Sequence, residues 1–142
     1  MTAPLLRKVD CVRIPVPDLE AGLAFYRDWL GHSLVWRTED SAGLRLPETD
    51  TEVVLYTESE GVEVDFLVDS AAAAAGAIEQ AGGRVAEGPF DIQIGRCVVA
   101  EDPFGNRLVV LDMSKGMLVT DDGGNVVGVR PPGDTADQST GG

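Results

Sequence analysis

Short runs of alternating hydrophobic and polar residues dominate the first sixty positions, and one stretch among them has helical spacing. The run Val9–Val16 is rich in β-branched residues and predicts a strand. Its apolar side chains share one face and Cys11 and Arg13 lie on the other, because successive side chains point to opposite sides. Asp18 caps a helix with apolar residues every three or four positions, and Gly31 ends it. Three more strands are predicted at Leu34–Thr38, Leu44–Pro47 and Glu52–Thr57.

The same order of elements returns in the second half, where Val68 corresponds to Val16, 52 residues earlier. Glu63–Val68 predicts a strand and Ala71–Ala81 an Ala-rich helix. The remaining strands are predicted at Arg84–Ala86, Arg96–Glu101 and Arg107–Asp112. We interpret the chain as α+β, with two βαβββ units at about 7–58 and 62–114 in one domain, 1–114.

The last part of the chain predicts a β-hairpin over 115–130. Two short apolar runs flank an acidic, Gly-rich turn at 121–125. The acidic turn does not have the spacing of an EF-hand loop, so we interpret it as an ordinary turn. Residues 131–142 are Pro, Gly, Ser, Thr and Asp for the most part and predict a disordered tail.

Charge and composition narrow the classes of function. The 142 residues carry a net charge of −13, which repels nucleic acid and anionic membranes. No apolar run approaches the roughly 20 residues of a membrane span, and no export signal is visible. Two cysteines do not make a disulfide framework, so we expect reduced thiols and a cytoplasmic location.

Several local motifs, in this order and spacing, resemble the vicinal oxygen chelate superfamily, also called the glyoxalase / bleomycin-resistance / dioxygenase family. The resemblance covers about Arg7–Ser114. The motifs that carry it are Ile-Pro-Val-Pro-Asp-Leu-Glu (14–20), Ala-Phe-Tyr-Arg-Asp-Trp-Leu-Gly (24–31), Val-Asp (68–69), Ala-Gly-Gly (81–83) and Glu-Asp-Pro-Phe-Gly-Asn (101–106).

The resemblance implies paired βαβββ units whose mixed sheet curls into a cup, with helices on the outer face. It also implies a small-molecule site on the concave face, commonly in a homodimer. Metal-using members of the family hold a divalent cation with His, Glu, His and Glu. In this sequence the four matching positions fall on Cys11, Leu55, Glu63 and Val109. Two of these side chains cannot ligate a metal, so no cofactor is expected. A metal relocated to Glu52, Glu101 or Asp112 stays open as an alternative.

Cys11, Arg13, Glu63 and Asp65 are the candidate polar side chains of such a cup, because they lie opposite the apolar rows of the two first strands. They form either a polar patch that orients a ligand, an Arg–carboxylate pair that satisfies buried groups, or part of a solvated rim. Strand alternation adds an apolar lining from Leu55, Val109, Leu111 and Met113. The segment 88–95 is either a lid with Phe90, Ile92 and Ile94 inward, dimer packing or a simple connection.

Three functions remain open at this point. The first is a metal-independent binder of a small organic ligand, cationic because the walls are acidic. The second is a lyase, isomerase or dioxygenase, either metal-dependent or with Glu63 as base and Arg13 holding an oxyanion. The third is a dimeric scaffold without a ligand.

Overall fold

Two units make up the part of the chain that the computed structural model describes, which is residues 3–58 and 61–133. The first unit holds 10–58, 61–63, 118–128 and Gly133. The second unit holds 3–9, 64–117 and 129–132. Each unit contains parallel and antiparallel strand pairs and one α-helix, as an α+β fold requires.

The elements of the first unit are β1 (Lys8–Pro15), α1 (Leu19–Leu23), β2 (Leu34–Arg37), β3 (Ser41–Arg45) and β4 (Glu52–Tyr56). The strands are neighbours in the order β2-β3-β4-β1. The strand β1 runs parallel to β4, and the other pairs are antiparallel. Helix α1 continues directly into a π-helical segment, Ala24–Trp29.

Helix α1 begins where its sequence predicts, because the Asp18 side chain accepts a 2.8 Å hydrogen bond from the Ala21 backbone N–H. Its apolar side packs on the sheet. The buried side chains of this core are Leu19, Leu23, Ala42, Leu44 and Leu55. The π-helical segment and the residue after it leave large apolar side chains exposed, namely Phe25, Trp29 and Leu30.

The elements of the second unit are β5 (Glu63–Leu67), α2 (Ala71–Gln80), β6 (Arg84–Asp91), β7 (Arg96–Glu101) and β8 (Arg107–Leu111). The strand order is β5-β8-β7-β6, with β5 and β8 parallel. The Ser70 hydroxyl caps α2 by accepting from the Ala73 N–H. Small Ala side chains let this helix lie close to the sheet, where Val68, Ile78, Val98 and Val110 are buried with them.

The predicted C-terminal hairpin is confirmed as β9 (Met117–Thr120) and β10 (Val126–Arg130). Asp121 holds its turn, because the carboxylate accepts from the Gly123 and Asn125 backbone N–H groups. Over residues 3–58 and 61–133, no helix is long and apolar enough to cross a membrane.

The α+β class, the eight core strands in mixed pairing, the helices and the hairpin are therefore confirmed. Two strand boundaries were wrong. The third strand is Ser41–Arg45 rather than Leu44–Pro47, because its short residues pair with β4, and Pro47 has no N–H to donate. The strand predicted at Arg84–Ala86 continues to Asp91, with irregular pairing. Of the predicted tail, 134–142 lie outside the described residues, and the curled cup stays a prediction.

Candidate functional site

One face of the first unit's sheet is polar, and it is the face that does not carry helix α1. Ile14 and Leu55 are register partners and pack in the core with the α1 leucines. Arg13 and Val54 precede them by one residue and therefore lie on the opposite face. We call this the polar face, and the pairing assigns to it Cys11, Arg13, Pro15, Trp36, Ser41, Gly43, Arg45, Glu52, Val54 and Tyr56.

The centre of the polar face is the contact between Trp36, Gly43 and Glu52. A Cβ atom placed on Gly43 would stand 2.1 Å from the indole Nε1, so the indole lies directly on the backbone. Glycine inside a strand often marks such a close approach. The Trp36 Nε1–H donates a 2.8 Å hydrogen bond to Glu52 Oε1. Because Gly43 has no side chain, the indole of Trp36 can lie against the backbone there. The indole N–H in turn fixes the position of the Glu52 carboxylate.

Burial raises the pKa of the Glu52 carboxyl above its ordinary value. The Trp36 hydrogen bond opposes this rise, and the charge of Asp10 reinforces it. Arg45 lowers the pKa slightly and Asp50 raises it. A carboxyl whose pKa is shifted by burial in this way is a candidate ligand-binding or acid–base group. Its surroundings contain more negative than positive charge, which favours a cation beside it.

Arg13 occupies the other end of the polar face. Its guanidinium carbon is 4.4 Å from the centroid of the Tyr56 ring, in a cation–π arrangement. Its Nη1 lies 3.8 Å from Glu63 Oε2, an ion pair longer than a hydrogen bond. Within the described residues the buried Arg13 Nε has no hydrogen-bond partner. The Tyr56 hydroxyl is held by the Gly61 carbonyl, to which it donates at 2.6 Å. The structure therefore brings Arg13 and Glu63 together, as their shared strand face indicated.

Leu55 does not belong to this face, and its predicted role as pocket lining was wrong. Its side chain is fully buried in the core beneath α1. Counting from sequence motifs placed the family position one residue too late. In the second unit Val109 pairs with Asp65, and the residue that pairs with the corresponding Arg13 is Val54. The family's fourth-strand position in this chain is therefore Val54.

In the second unit, the face that does not carry α2 is mostly apolar and covered, with Asp65 as a buried polar residue on it. Val109 and Leu111 are buried there with Cys97 and Val99. The side chains of Ile92 and Ile94, in the turn between β6 and β7, pack on this cluster. Lys115 ties the turn down, with its Nζ 3.0 Å from Asp91 Oδ1 and 3.2 Å from the Ile92 carbonyl.

The two other site candidates of this unit differ in exposure. Asp65 is 4% exposed and pairs with Val109. Phe90 lies in β6, pairs with Cys97 and is 38% exposed. Ile92 and Ile94 thus pack on the cluster and Phe90 is more exposed, while the lid itself stays a prediction.

The side chains present do not fit the metal that this fold family implies. The four positions hold Cys11, Val54, Glu63 and Val109, and the two valines have no ligand atom. The Glu63 carboxylate already faces the Arg13 guanidinium. Across 3–58 and 61–133, no group of three or more His, Cys, Asp or Glu side chains could hold a metal ion.

The carboxylates named as a relocated metal site have other roles. Glu101 forms a hydrogen-bonded ion pair with Arg84. Asp112 is buried and accepts hydrogen bonds from the Ala71 and Arg96 backbone N–H groups and from the Ser114 hydroxyl. Burial raises the pKa of Asp112, but these hydrogen bonds together outweigh burial and leave it below its ordinary value. Asp112 is therefore a structural residue that caps α2.

Sequence reasoning did not identify the pair of Trp36 and Glu52 as the centre of the face. The usable signal was Gly43, a glycine directly before the predicted strand Leu44–Pro47 and close in sequence to a tryptophan. The first unit also has a shallow groove of about 310 Å³ elsewhere, lined by Leu34, Val35, Arg45 and residues 120–124. The Asp121 carboxylate in this groove is used by its own turn.

Comparison with known proteins gives a family and a fold. The sequence profile of the Glyoxalase/Bleomycin resistance protein/Dioxygenase superfamily matches residues 8–110. No curated protein sequence matches the chain.

Among solved structures, methylmalonyl-CoA epimerase from Mycobacterium tuberculosis is similar, with 18% identity and a TM-score of 0.67 over 79% of this chain and 91% of that one. A Streptomyces coelicolor methylmalonyl-CoA epimerase in complex with 2-nitronate-propionyl-CoA has 20% identity and a TM-score of 0.65 over 77% and 99%. An extradiol ring-cleaving dioxygenase from B. fuscum has 23% identity and a TM-score of 0.62 over 78% and 34%. At these identities the likeness concerns the fold.

Proposed function

Because the chain belongs to the glyoxalase/bleomycin resistance/dioxygenase superfamily, we propose that it binds a small organic ligand on the polar face of its first unit, without the metal that many relatives use. The matched profile covers residues 8–110, and proteins of this superfamily typically bind small molecules, which supports the proposal. The donor set at the four metal positions is incomplete, which supports a metal-free mode of binding.

The observation that carries the proposal is the half-buried carboxylate of Glu52, positioned by Trp36 over Gly43. Binding sites typically combine aromatic and apolar walls with a few fixed polar groups. The polar face has that composition, with Trp36 and Tyr56 as aromatic groups and Glu52 and Arg13 as charged ones. Cys11 and Val54 supply a small apolar floor between them.

The charge around Glu52 supports a cationic ligand. Asp10 and Asp50 both add negative potential there, and Arg45 offsets only part of it. The net charge of −13 attracts cations over the whole surface. Cys11, Arg13 and Glu63 remain proposed ligand contacts in the first unit. Asp65, Phe90, Val109 and Leu111, in the second unit, stay predictions, as does the cup.

A second candidate function is acid–base catalysis on a small organic substrate, as an epimerase, lyase or isomerase. The raised pKa of Glu52 favours it, because a general base or acid works best when its pKa approaches the working pH. The earlier assignment of Glu63 as the base is less well supported, since Arg13 faces its carboxylate. In this alternative Glu52 exchanges the proton and Arg13 holds a developing negative charge.

Assembly and location are further parts of the proposal. We propose a homodimer, supported by the large apolar side chains of Phe25, Trp29 and Leu30 at the surface of the first unit. Sedimentation velocity of the wild type and of Trp29→Arg tests it. We also propose a cytoplasmic location, which suits the buried cysteines Cys11 and Cys97, since neither is in a disulfide.

A thermal-shift screen in buffer containing EDTA tests the proposed function. The panel holds small aromatic and aliphatic compounds of positive, neutral and negative charge, at fixed millimolar concentration. We expect hits that raise Tm without added metal, since a ligand that binds only the folded state stabilises it. A panel with no hit of any charge, with and without divalent metals, contradicts the proposal and favours a ligand-free scaffold.

A further inference from the structure

We infer that Glu52 is the counter-ion for an ammonium group, and that the ligand is a primary amine whose flat apolar portion lies against Trp36. This rests on the proposed function and deepens it by naming the class of ligand. The juxtaposition that carries it is a carboxylate fixed by an indole N–H, with one of its two oxygens used by that bond at 2.8 Å.

The position of the Glu52 carboxylate is fixed, and this favours one class of ligand. Trp36 donates to Oε1 of Glu52, and Gly43 allows the indole to lie against the sheet because it has no side chain beneath the ring. A primary ammonium has three N–H donors and can reach a carboxylate while its charge interacts with an aromatic ring. A neutral hydroxyl can donate one hydrogen bond to the carboxylate but brings no charge to either contact, and an anion is repelled by the carboxylate.

The charged groups around Glu52 come from four elements. Asp10 of β1 and Asp50 of the β3–β4 loop are negative, Arg45 of β3 is positive, and Trp36 of β2 donates the hydrogen bond. Asp10 and Asp50 raise the pKa of Glu52, whereas Arg45, its register partner on the same face, lowers it. An incoming ammonium brings a positive charge directly to the carboxylate. It stabilises the ionised carboxylate, so binding weakens as the pH falls and a proton competes with the amine.

The test uses Trp36 as the reporter. The chain has two tryptophans, and Trp29 is 84% exposed, so Trp29→Phe leaves Trp36 as the only indole. In that background, the emission is titrated at pH 7.5 with 2-phenylethylamine, 2-phenylethanol and 3-phenylpropionate, which present a cation, a neutral group and an anion on one aromatic ring. We expect 2-phenylethylamine to bind at least about tenfold more tightly than the other two.

Two matched variants locate the effect. Glu52→Gln keeps an acceptor for Trp36 and removes the charge, and we expect it to weaken 2-phenylethylamine binding by about tenfold or more and to abolish its pH dependence. Glu20→Gln makes the same chemical change in the first unit, on α1, where Glu20 pairs with the exposed side of Arg37. We expect that control to bind like the parent.

Three results overturn the inference. One is equal affinity for all three probes, in which case the face binds organic molecules and the proposed function survives. Another is an amine preference that Glu52→Gln leaves intact. The last is an unchanged Trp36 emission with every probe while the thermal-shift panel still gives hits, which places the ligand away from Glu52. Unchanged emission together with a thermal-shift panel without hits contradicts the proposed function as well.

Discussion

The indole Nε1 of Trp36 and the carboxylate Oε1 of Glu52 are joined by a 2.8 Å hydrogen bond between two strands that are not direct neighbours. The strand between them, β3, contributes Gly43 at the point where the indole crosses it. A side chain at that position would occupy the space of the indole. Three residues on three different strands therefore act as one structural feature, and its dependence on strand register explains why no motif marked them.

Gly43→Ala tests this arrangement. The new Cβ would stand 2.1 Å from the Trp36 Nε1, so the indole has to move and its hydrogen bond to Glu52 breaks. We expect a red shift of Trp36 emission in the Trp29→Phe background and at least about tenfold weaker binding of any screened ligand. Gly76→Ala is the control, because that helical position is open and Ala stabilises a helix by about 1 kcal/mol relative to Gly. Unchanged emission in Gly43→Ala would contradict the arrangement.

The raised pKa of Glu52 also predicts how the stability of the Glu52→Gln variant depends on pH. Because the pKa of Glu52 is raised in the folded protein, the folded state holds the proton more tightly than the unfolded chain does. The free energy of unfolding of the wild type therefore falls as the pH rises from 4.5, the ordinary pKa of a glutamate, through the raised pKa of Glu52.

Glu52→Gln has no carboxyl at this position, so its free energy of unfolding does not show this decrease. We expect the free energy of unfolding of Glu52→Gln minus that of the wild type to grow across this pH interval and to stay constant above it. Urea unfolding of both proteins between pH 4 and 8 measures the difference. An advantage that shrinks with rising pH contradicts the raised pKa.

Leu55→Ala separates the two faces of β4. Leu55 is fully buried beneath α1, so truncation is expected to lower the free energy of unfolding by about 2–5 kcal/mol. Emission of Trp36 and binding on the polar face should stay as in the parent, measured at a temperature where the variant is folded. A loss of binding without a loss of stability would return Leu55 to the pocket lining.

Asp112→Asn tests the structural role assigned to this carboxylate. An amide offers one oxygen where the carboxylate uses both, and its NH₂ then faces the N–H of Ala71 or Arg96. We expect a loss of about 1–3 kcal/mol and a drop in Tm of roughly 3–10 °C at pH 7.

The pKa of Asp112 is lowered in the folded protein, so the stability it contributes is present above the ordinary value of 3.8 and disappears as the pH falls below it. The gap between wild type and Asp112→Asn should therefore close in acid. A gap that is the same at pH 7 and in acid contradicts this role.

Sequence patterns predicted the elements well where local chemistry decides them. Asp18 caps α1 and Ser70 caps α2 through their own side chains, and the alternation of β1 placed Arg13 opposite Ile14. The assignment of Leu55 was wrong because register depends on pairing between strands, and a shift of one residue exchanges the two faces. The contact of Trp36 with Glu52 depends on the register of β2 and β4 on the strand between them, which the local pattern of residues does not fix.

The most direct test of the account is ¹H–¹⁵N NMR mapping of a thermal-shift hit on the Trp29→Phe protein in buffer with EDTA. The indole N–H of Trp36 gives a signal of its own. We predict that this signal and the backbone amides of Cys11, Arg13, Glu52 and Val54 shift together and saturate with one affinity. Shifts confined to the groove of Leu34, Val35 and residues 120–124, or shifts that appear only after a divalent metal is added, would contradict a metal-free ligand site on the polar face.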